Sequence, residues 1–238
     1  MKMLLSLLIS VLFCVNCYSQ PPTIGRVSPV ASATTGCGGV ASVTIVNQQY
    51  YANKLYIAVV FSTGTTDYGD NIVSSGVTWD TLSQIGNSTR RISVYRTYVT
   101  SGTTVNTTAG WTSAADGISL HIFEIANLSS SNNGANCIAE VVHDSATSST
   151  TASITMSSAY NGGVLAFYSS NISVFGGTVE SGWTESIDWG CGATIVNGFY
   201  CMFRENTTDN TPSTTMSSST WIGTAVRIKG GRRIFSSN

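Results

Sequence analysis

From Val40 onward the chain is a succession of short runs of apolar and polar residues, separated by Gly, Ser, Asn and Asp. Alternation with period two marks strands, because successive side chains leave a strand on opposite faces. Thr151-Ala152-Ser153-Ile154-Thr155-Met156 is the clearest case and predicts Ala152, Ile154 and Met156 inward, hydroxyls outward. Along Lys54–Ser62 both faces are apolar: Leu55, Ile57, Val59 and Phe61 on one, Tyr56, Ala58 and Val60 on the other. Such a strand belongs in the middle of a packed sheet. Ile222, Val226 and Ile228 repeat the pattern near the end. Beyond Gln20 no segment sustains a 3.6-residue period with caps, so almost no helix is expected.

The pattern occurs twice. Ser75-Gly76-Val77-Thr78-Trp79 returns as Ser181-Gly182-Trp183-Thr184-Glu185. Upstream of each lies an apolar run, Lys54–Ser62 and Gly162–Ser170. Downstream, Ile92–Thr97 answers to Asn197–Met202, and Ser119–Ile125 to Gly223–Ile228. An offset of roughly 105 positions is too long for a solenoid and suits two halves of one domain. Half one spans about 40–130 and half two about 137–230. The polar stretch Ser129–Gly134 is their expected joint.

Many short strands with turn signals between them mean a sandwich or a barrel. Duplication favours an all-β, jelly-roll-like antiparallel sandwich in which the halves supply matching strands to facing sheets. The order of a leading L-Y-I-A-V-V strand, an S-G-V/W-T turn and a returning S-V-Y-R-T strand resembles a β-sandwich module of secreted bacterial and phage-encoded proteins. The resemblance covers Val40 to Lys229, with Val77 where the module's Trp is usual and Trp79 two places later. It implies a jelly-roll-like scaffold at surfaces or on virions, and it implies no catalytic residues.

The ends change the picture of location. Lys2 followed by apolar Leu4–Val15 reads as a secretory signal over residues 1–19, with cleavage before Gln20. A lipoprotein reading would instead attach lipid at Cys14 or Cys17, after the poorly suited Phe13 or Asn16. Residues 20–36, with Pro21, Pro22 and Pro29, read as an extended lead-in, and 37–238 as a single sandwich domain. The expected location is extracellular or at a cell surface, with no membrane insertion after cleavage.

Charged residues make up only 10% of the chain and the net charge is −1, against about 25% charged in ordinary domains. Without a basic stripe, nucleic acid is not an expected partner. The four cysteines after Gln20 are Cys37, Cys137, Cys191 and Cys201. An even count in an exported chain favours disulfides, with three pairings open. Cys191–Cys201 across an expected Asn197-Gly198 turn, with Cys37–Cys137, is the pairing predicted. Sequons at Asn87, Asn106, Asn127, Asn171 and Asn206 carry little weight in so Asn-, Ser- and Thr-rich a chain.

Candidate chemistry is thin. His121 sits in a strand and reads as a structural, hydrogen-bonded histidine. His143-Asp144 has the residue types of part of a triad but no G-x-S-x-G elbow accompanies it. Glu124 would need a partner such as Arg96 or Arg227 if buried, and a glycosidase role would need a second carboxylate, Glu180 or Glu185 being the candidates. Asp67–Asn71 is an acidic turn without the full calcium-loop pattern. Glycines 36, 38 and 39 lack the lysine of a phosphate loop. No metal, cofactor or catalytic residue is predicted. Trp79 and Trp183 belong to the repeat and are expected to pack. Trp189, beside Asp188 in an expected loop Ser186–Thr194 without counterpart in half one, is the candidate contact pair. The expected activity is therefore non-catalytic recognition of a glycan or surface protein, or assembly with copies of itself into a filament, coat or virion decoration.

Overall fold

A computed structural model describes residues 27–34, 40–64, 71–87, 89–125, 133–157, 162–172, 178–191 and 197–229. The expected leader (residues 1–19), Cys37, Asp67–Asp70 and Ser129–Asn132 lie outside them. In chain order the strands are β1 (Val27–Thr34), β2 (Val40–Tyr50), β3 (Lys54–Thr63), β4 (Asn71–Ser74), β5 (Asp80–Gly86), β6 (Arg90–Val99), β7 (Thr103–Ala115) and β8 (Gly117–Ile125) in half one. A short 3-10 turn, Ala135–Cys137, leads into β9 (Ile138–Ser153), β10 (Gly162–Ser170), β11 (Thr184–Cys191), β12 (Asn197–Thr207) and β13 (Ser213–Ile228). The lead-in therefore contributes a strand, β1, which pairs antiparallel with β8.

Half one forms a five-stranded sheet, β1-β8-β3-β6-β5, and a three-stranded one, β2-β7-β4. Strands 1-8-3-6 facing 2-7-4 is the jelly-roll order. Half two repeats the larger sheet strand for strand as β9-β13-β10-β12-β11. Where half one breaks into β1 and β2, and into β7 and β8, half two runs on through two 16-residue strands, β9 and β13. Their pairing shifts register between Thr215 and Trp221, an irregularity that bends strands. Ala152, Ile154, Met156 and Met216 beyond the bend pack on Val164, Ala166, Tyr168 and Met202. They stand in for the small sheet of half one.

The two five-stranded sheets meet face to face. Leu55, Ile57, Val59, Phe61, Ile92 and Val94 from half one share one core with Leu165, Phe167, Phe199, Cys201, Ile222 and Val226 from half two. Each such side chain contributes about 1.5–3 kcal/mol when fully buried. Phe61 stacks on Phe199 across the junction, ring centroids 4.8 Å apart. On the far side of the first large sheet, Tyr56, Ala58, Val60, Leu120 and Ile122 pack against Val43, Ile45, Ala109 and Trp111. This is why β3 is apolar on both faces: it is covered on both.

The repeated motif is a turn. Val77 N–H donates to the Ser74 carbonyl and Trp183 N–H to that of Glu180, both at 3.1 Å. Gly76 (φ +75°) and Gly182 (φ +88°) take the third position, where a type II turn requires positive φ. That requirement accounts for the glycine in both copies.

Candidate functional site

The registers align the halves residue by residue. Asp80 faces Arg96 on β5/β6 and Thr184 faces Phe203 on β11/β12, and both pairs slip immediately afterwards, at Thr81/Ser83 and Glu185/Ile187. Ile85 and Trp189 are therefore equivalent, as are Gly86 and Gly190. The segment expected as a unique loop is strand β11, with β5 as its counterpart; residues 192–196 lie outside the described structure.

This placement separates the expected contact pair. Trp189 lies opposite Phe199 and Asp188 opposite Tyr200, and neighbours in a strand point to opposite faces. Trp189 faces the shared core, partly buried and stacked on Phe199 at 5.3 Å. Asp188 shares the outward side of Tyr200. The aromatic face and the carboxylate do not meet. Trp189→Ala is accordingly expected to lower stability by about 1–2 kcal/mol through lost stacking and burial; chemical denaturation that finds the variant equal to the parent would contradict this placement.

The cysteines are also corrected. Cys201 carries a free thiol, fully buried in the shared core, and burial raises its pKa well above the usual thiol value. Ile187 faces Cys201, while Cys191 faces Asn197, four residues along β12. At about 3.4 Å per strand residue this separates the two backbones far beyond disulfide reach. Asn197-Gly198 opens a strand rather than a hairpin turn. Cys137 is buried in the same core, and its expected partner Cys37 lies outside the described residues.

The carboxylates do not converge. Glu124 is paired with Lys54 Nζ at 3.3 Å and accepts from Tyr56 Oη at 2.9 Å, in place of the expected arginines. Arg96 pairs with Asp80 at 3.3 Å. Arg227, fully buried, donates to the carbonyls of Thr207 and Asp209. Glu124 lies on the side of its sheet turned away from half two, with Tyr56 opposite it. Glu185 lies on the side of its own sheet turned away from half one, accepting from Tyr200 Oη. With both large sheets between them, these carboxylates cannot flank one glycosidic bond, which needs about 5–9.5 Å. Glu180, exposed beside the second turn, accepts from Ser213.

Two cavities among the described residues bear on a site. One, about 300 Å³, lies where the halves meet and is lined by Ile85, Gly86, His143, Asp144, Ser145 and Ile222. Here the structure does bring a serine to His143: Ser83 Oγ from half one and Thr224 Oγ1 from half two each lie 3.3 Å from Nδ1. Burial lowers the pKa of His143, which favours the neutral ring. Asp144, however, accepts from the Ser145 backbone N–H at 2.7 Å, so the carboxylate that would orient a catalytic imidazole is turned elsewhere. Ser83 is only 5% exposed, a poor position for attack on a substrate. The cluster ties the halves together. His121 is structural too, but not as expected: it is buried, and neither ring nitrogen has a hydrogen-bond partner among the described residues.

The second cavity, about 250 Å³, opens beside the turn of half one, between Gly76-Val77-Thr78 and Thr97–Ser101. Asn133 forms its floor. Its Oδ1 accepts from Tyr98 N–H at 2.8 Å, and its Nδ2 donates to Asp80 Oδ2 at 2.8 Å and to the Thr78 carbonyl at 3.3 Å. Asn133 (φ +48°) and Gly134 (φ +77°) are consecutive left-handed residues. A Cβ on Gly134 would fall 2.4 Å from Leu55 Cδ1, so glycine is needed for the loop to seat here. None of the residues lining this cavity carries a charge, and polar groups dominate its wall. Sequence reasoning missed it, because it is formed by the space between a turn and a strand rather than by any distinctive residue.

No protein-family model, curated protein or solved structure matches this chain.

Proposed function

We propose that this is a non-catalytic recognition protein that acts outside the cell and holds an uncharged glycan or surface ligand on its jelly-roll scaffold. The observation that carries the reading is the uncharged, hydroxyl-rich cavity of half one, held open by Asn133. A neutral polar wall offers hydrogen bonds without demanding charge neutralisation, which suits a sugar. The secretory leader and the resemblance to surface sandwich modules support the same reading. The chain is expected to be retained by at least one neutral polysaccharide in affinity electrophoresis while sedimenting as a monomer. Free migration through every neutral polysaccharide would remove the reading.

A second reading, assembly with copies of itself, is favoured by one surface. Val46 and Val73 are 65% and 61% exposed on the small sheet β2-β7-β4, beside the cross-strand Thr44–Thr108 hydroxyl pair. Concentration-dependent sedimentation, abolished by charged residues at Val46 and Val73, is the result that would favour it.

A further inference from the structure

The cavity of half one lies where half two carries larger side chains. The turns align Val77 with Trp183, each donating its N–H to the first residue of its turn, although the registers align Trp183, just before Thr184, with Trp79, just before Asp80. The registers place Thr97 where half two has Arg204: Tyr56 faces Thr97 on β3/β6, and its equivalent Val164 faces Arg204 on β10/β12.

In half two Trp183 and Arg204 come together beside the turn. Trp183 is 6% exposed, and its Nε1 donates to Asp209 Oδ2 at 3.0 Å. Arg204 Nη1 reaches the same oxygen at 3.2 Å, and its guanidinium lies 3.0 Å from the place a Cβ on Gly182 would take. In half one a Cβ on Gly76 would meet nothing within 4 Å. A tryptophan is retained there, but two residues later. Trp79 turns aside to donate Nε1 to Ser74 Oγ at 3.0 Å and to pack edge-on against Tyr50. The scaffold keeps its aromatic support in the outer core, where Trp183 also packs, and Trp79 is not among the residues lining the cavity.

We propose that this opened position is a subsite for one neutral sugar residue of a larger glycan. The inference rests on the recognition reading above and adds the place and the size of the ligand. The chemistry follows from the wall. Hydroxyls of Thr78, Thr100 and Ser101 can donate or accept, as a sugar's hydroxyls require. Val77 and Val99 offer apolar edges for C–H groups. Among the described residues no cation lines the cavity to draw an anionic ligand. The nearby Asp80 is engaged by Arg96 and Asn133. A volume of about 250 Å³ lies below the range of drug-sized pockets, which begins at about 300 Å³, so a single ring fits rather than an oligosaccharide. The hydrogen bonds that fix Asn133 hold the wall in place before a ligand arrives, which limits the ordering cost of binding.

The test titrates the intact chain with methyl glycosides of glucose, galactose, mannose and N-acetylglucosamine, read by saturation-transfer NMR and by calorimetry. Parent protein should bind at least one of them in about the millimolar range, as a lone sugar ring does. Val77→Trp is expected to plug the cavity, and Thr100→Arg blocks the exposed rim without touching the core. Each should weaken binding by about tenfold or more, while Ser145→Trp, in the other cavity, should not. Thermal melting identifies which variants are folded, and the rim variant serves if the plug variant is not. Undiminished binding by folded Val77→Trp or Thr100→Arg overturns the subsite and leaves the recognition reading standing. Retention on polysaccharide without binding of any monomeric glycoside overturns the single-residue size. Absence of both overturns the subsite and the recognition reading together.

Discussion

Lowering the pH from 7 to 4 is expected to cost this protein about 3 kcal/mol of folding stability through His121 alone. The imidazole lies in the shared core, 2% exposed, edge-on to Phe61 at 6.1 Å. Burial pushes its pKa down from 6.5 to about 3. Between those values the unfolded chain binds a proton that the folded chain refuses, so stability falls as pH falls from 6.5 towards 3. Each unit contributes about 1.4 kcal/mol. His143, also lowered by burial, acts in the same direction. His121→Leu removes only the first contribution. Urea unfolding at pH 7 and pH 4 should show a markedly smaller acid loss for this variant. Parallel losses in variant and parent would mean that His121 titrates normally.

Trp183→Ala is expected to cost about 3–5 kcal/mol, the range for deleting a large buried aromatic. The ring packs in the outer core of half two with Met202, Met216 and Tyr168, and its loss strands a second group. Burial tends to raise the pKa of Asp209, but the Thr211 N–H, the Trp183 indole and Arg204 outweigh it and hold the carboxylate below its usual value. Without the indole, Asp209 remains partly buried with one donor fewer. Trp183→Phe, which keeps most of the ring volume, should recover over half of the loss. A smaller cost for Trp183→Ala than for Trp189→Ala would contradict the burial of these two rings.

What could be read from the sequence was what period and turn chemistry encode. Ala152, Ile154 and Met156 point inward as their alternation requires, and the two-faced apolarity of β3 follows from a sheet covered on both sides. The Ser-Gly repeat marks a turn that only glycine enters easily at positive φ. Other features were hidden because they depend on register. The two-residue insertion of Thr78 and Trp79 before β5 masks its kinship with β11, so a strand passed for an added loop. Asn197-Gly198 has the letters of a hairpin turn, yet strand pairing to Cys191 carries it into β12. The approach of Ser83 to His143 joins residues sixty positions apart, from different halves. The cavity was the least legible. Nothing in Thr97 marks the cavity until it is laid on Arg204 of half two, because the space lies between a turn and a strand.

Because the two large sheets cover each other within one chain, the molecule has the interior of a two-fold dimer without its symmetry. In a dimer of identical chains every substitution would be made in both copies at once. Here the core-facing positions remain apolar in pairs, Ile57 with Leu165, Val59 with Phe167 and Ile92 with Phe199. The turn positions have gone separate ways. One half can stay closed and firm while the other opens, so the proposed subsite would occur once where a symmetric dimer would present it twice. A monovalent molecule can coat a surface but cannot cross-link one, and gains no avidity unless several chains are gathered together.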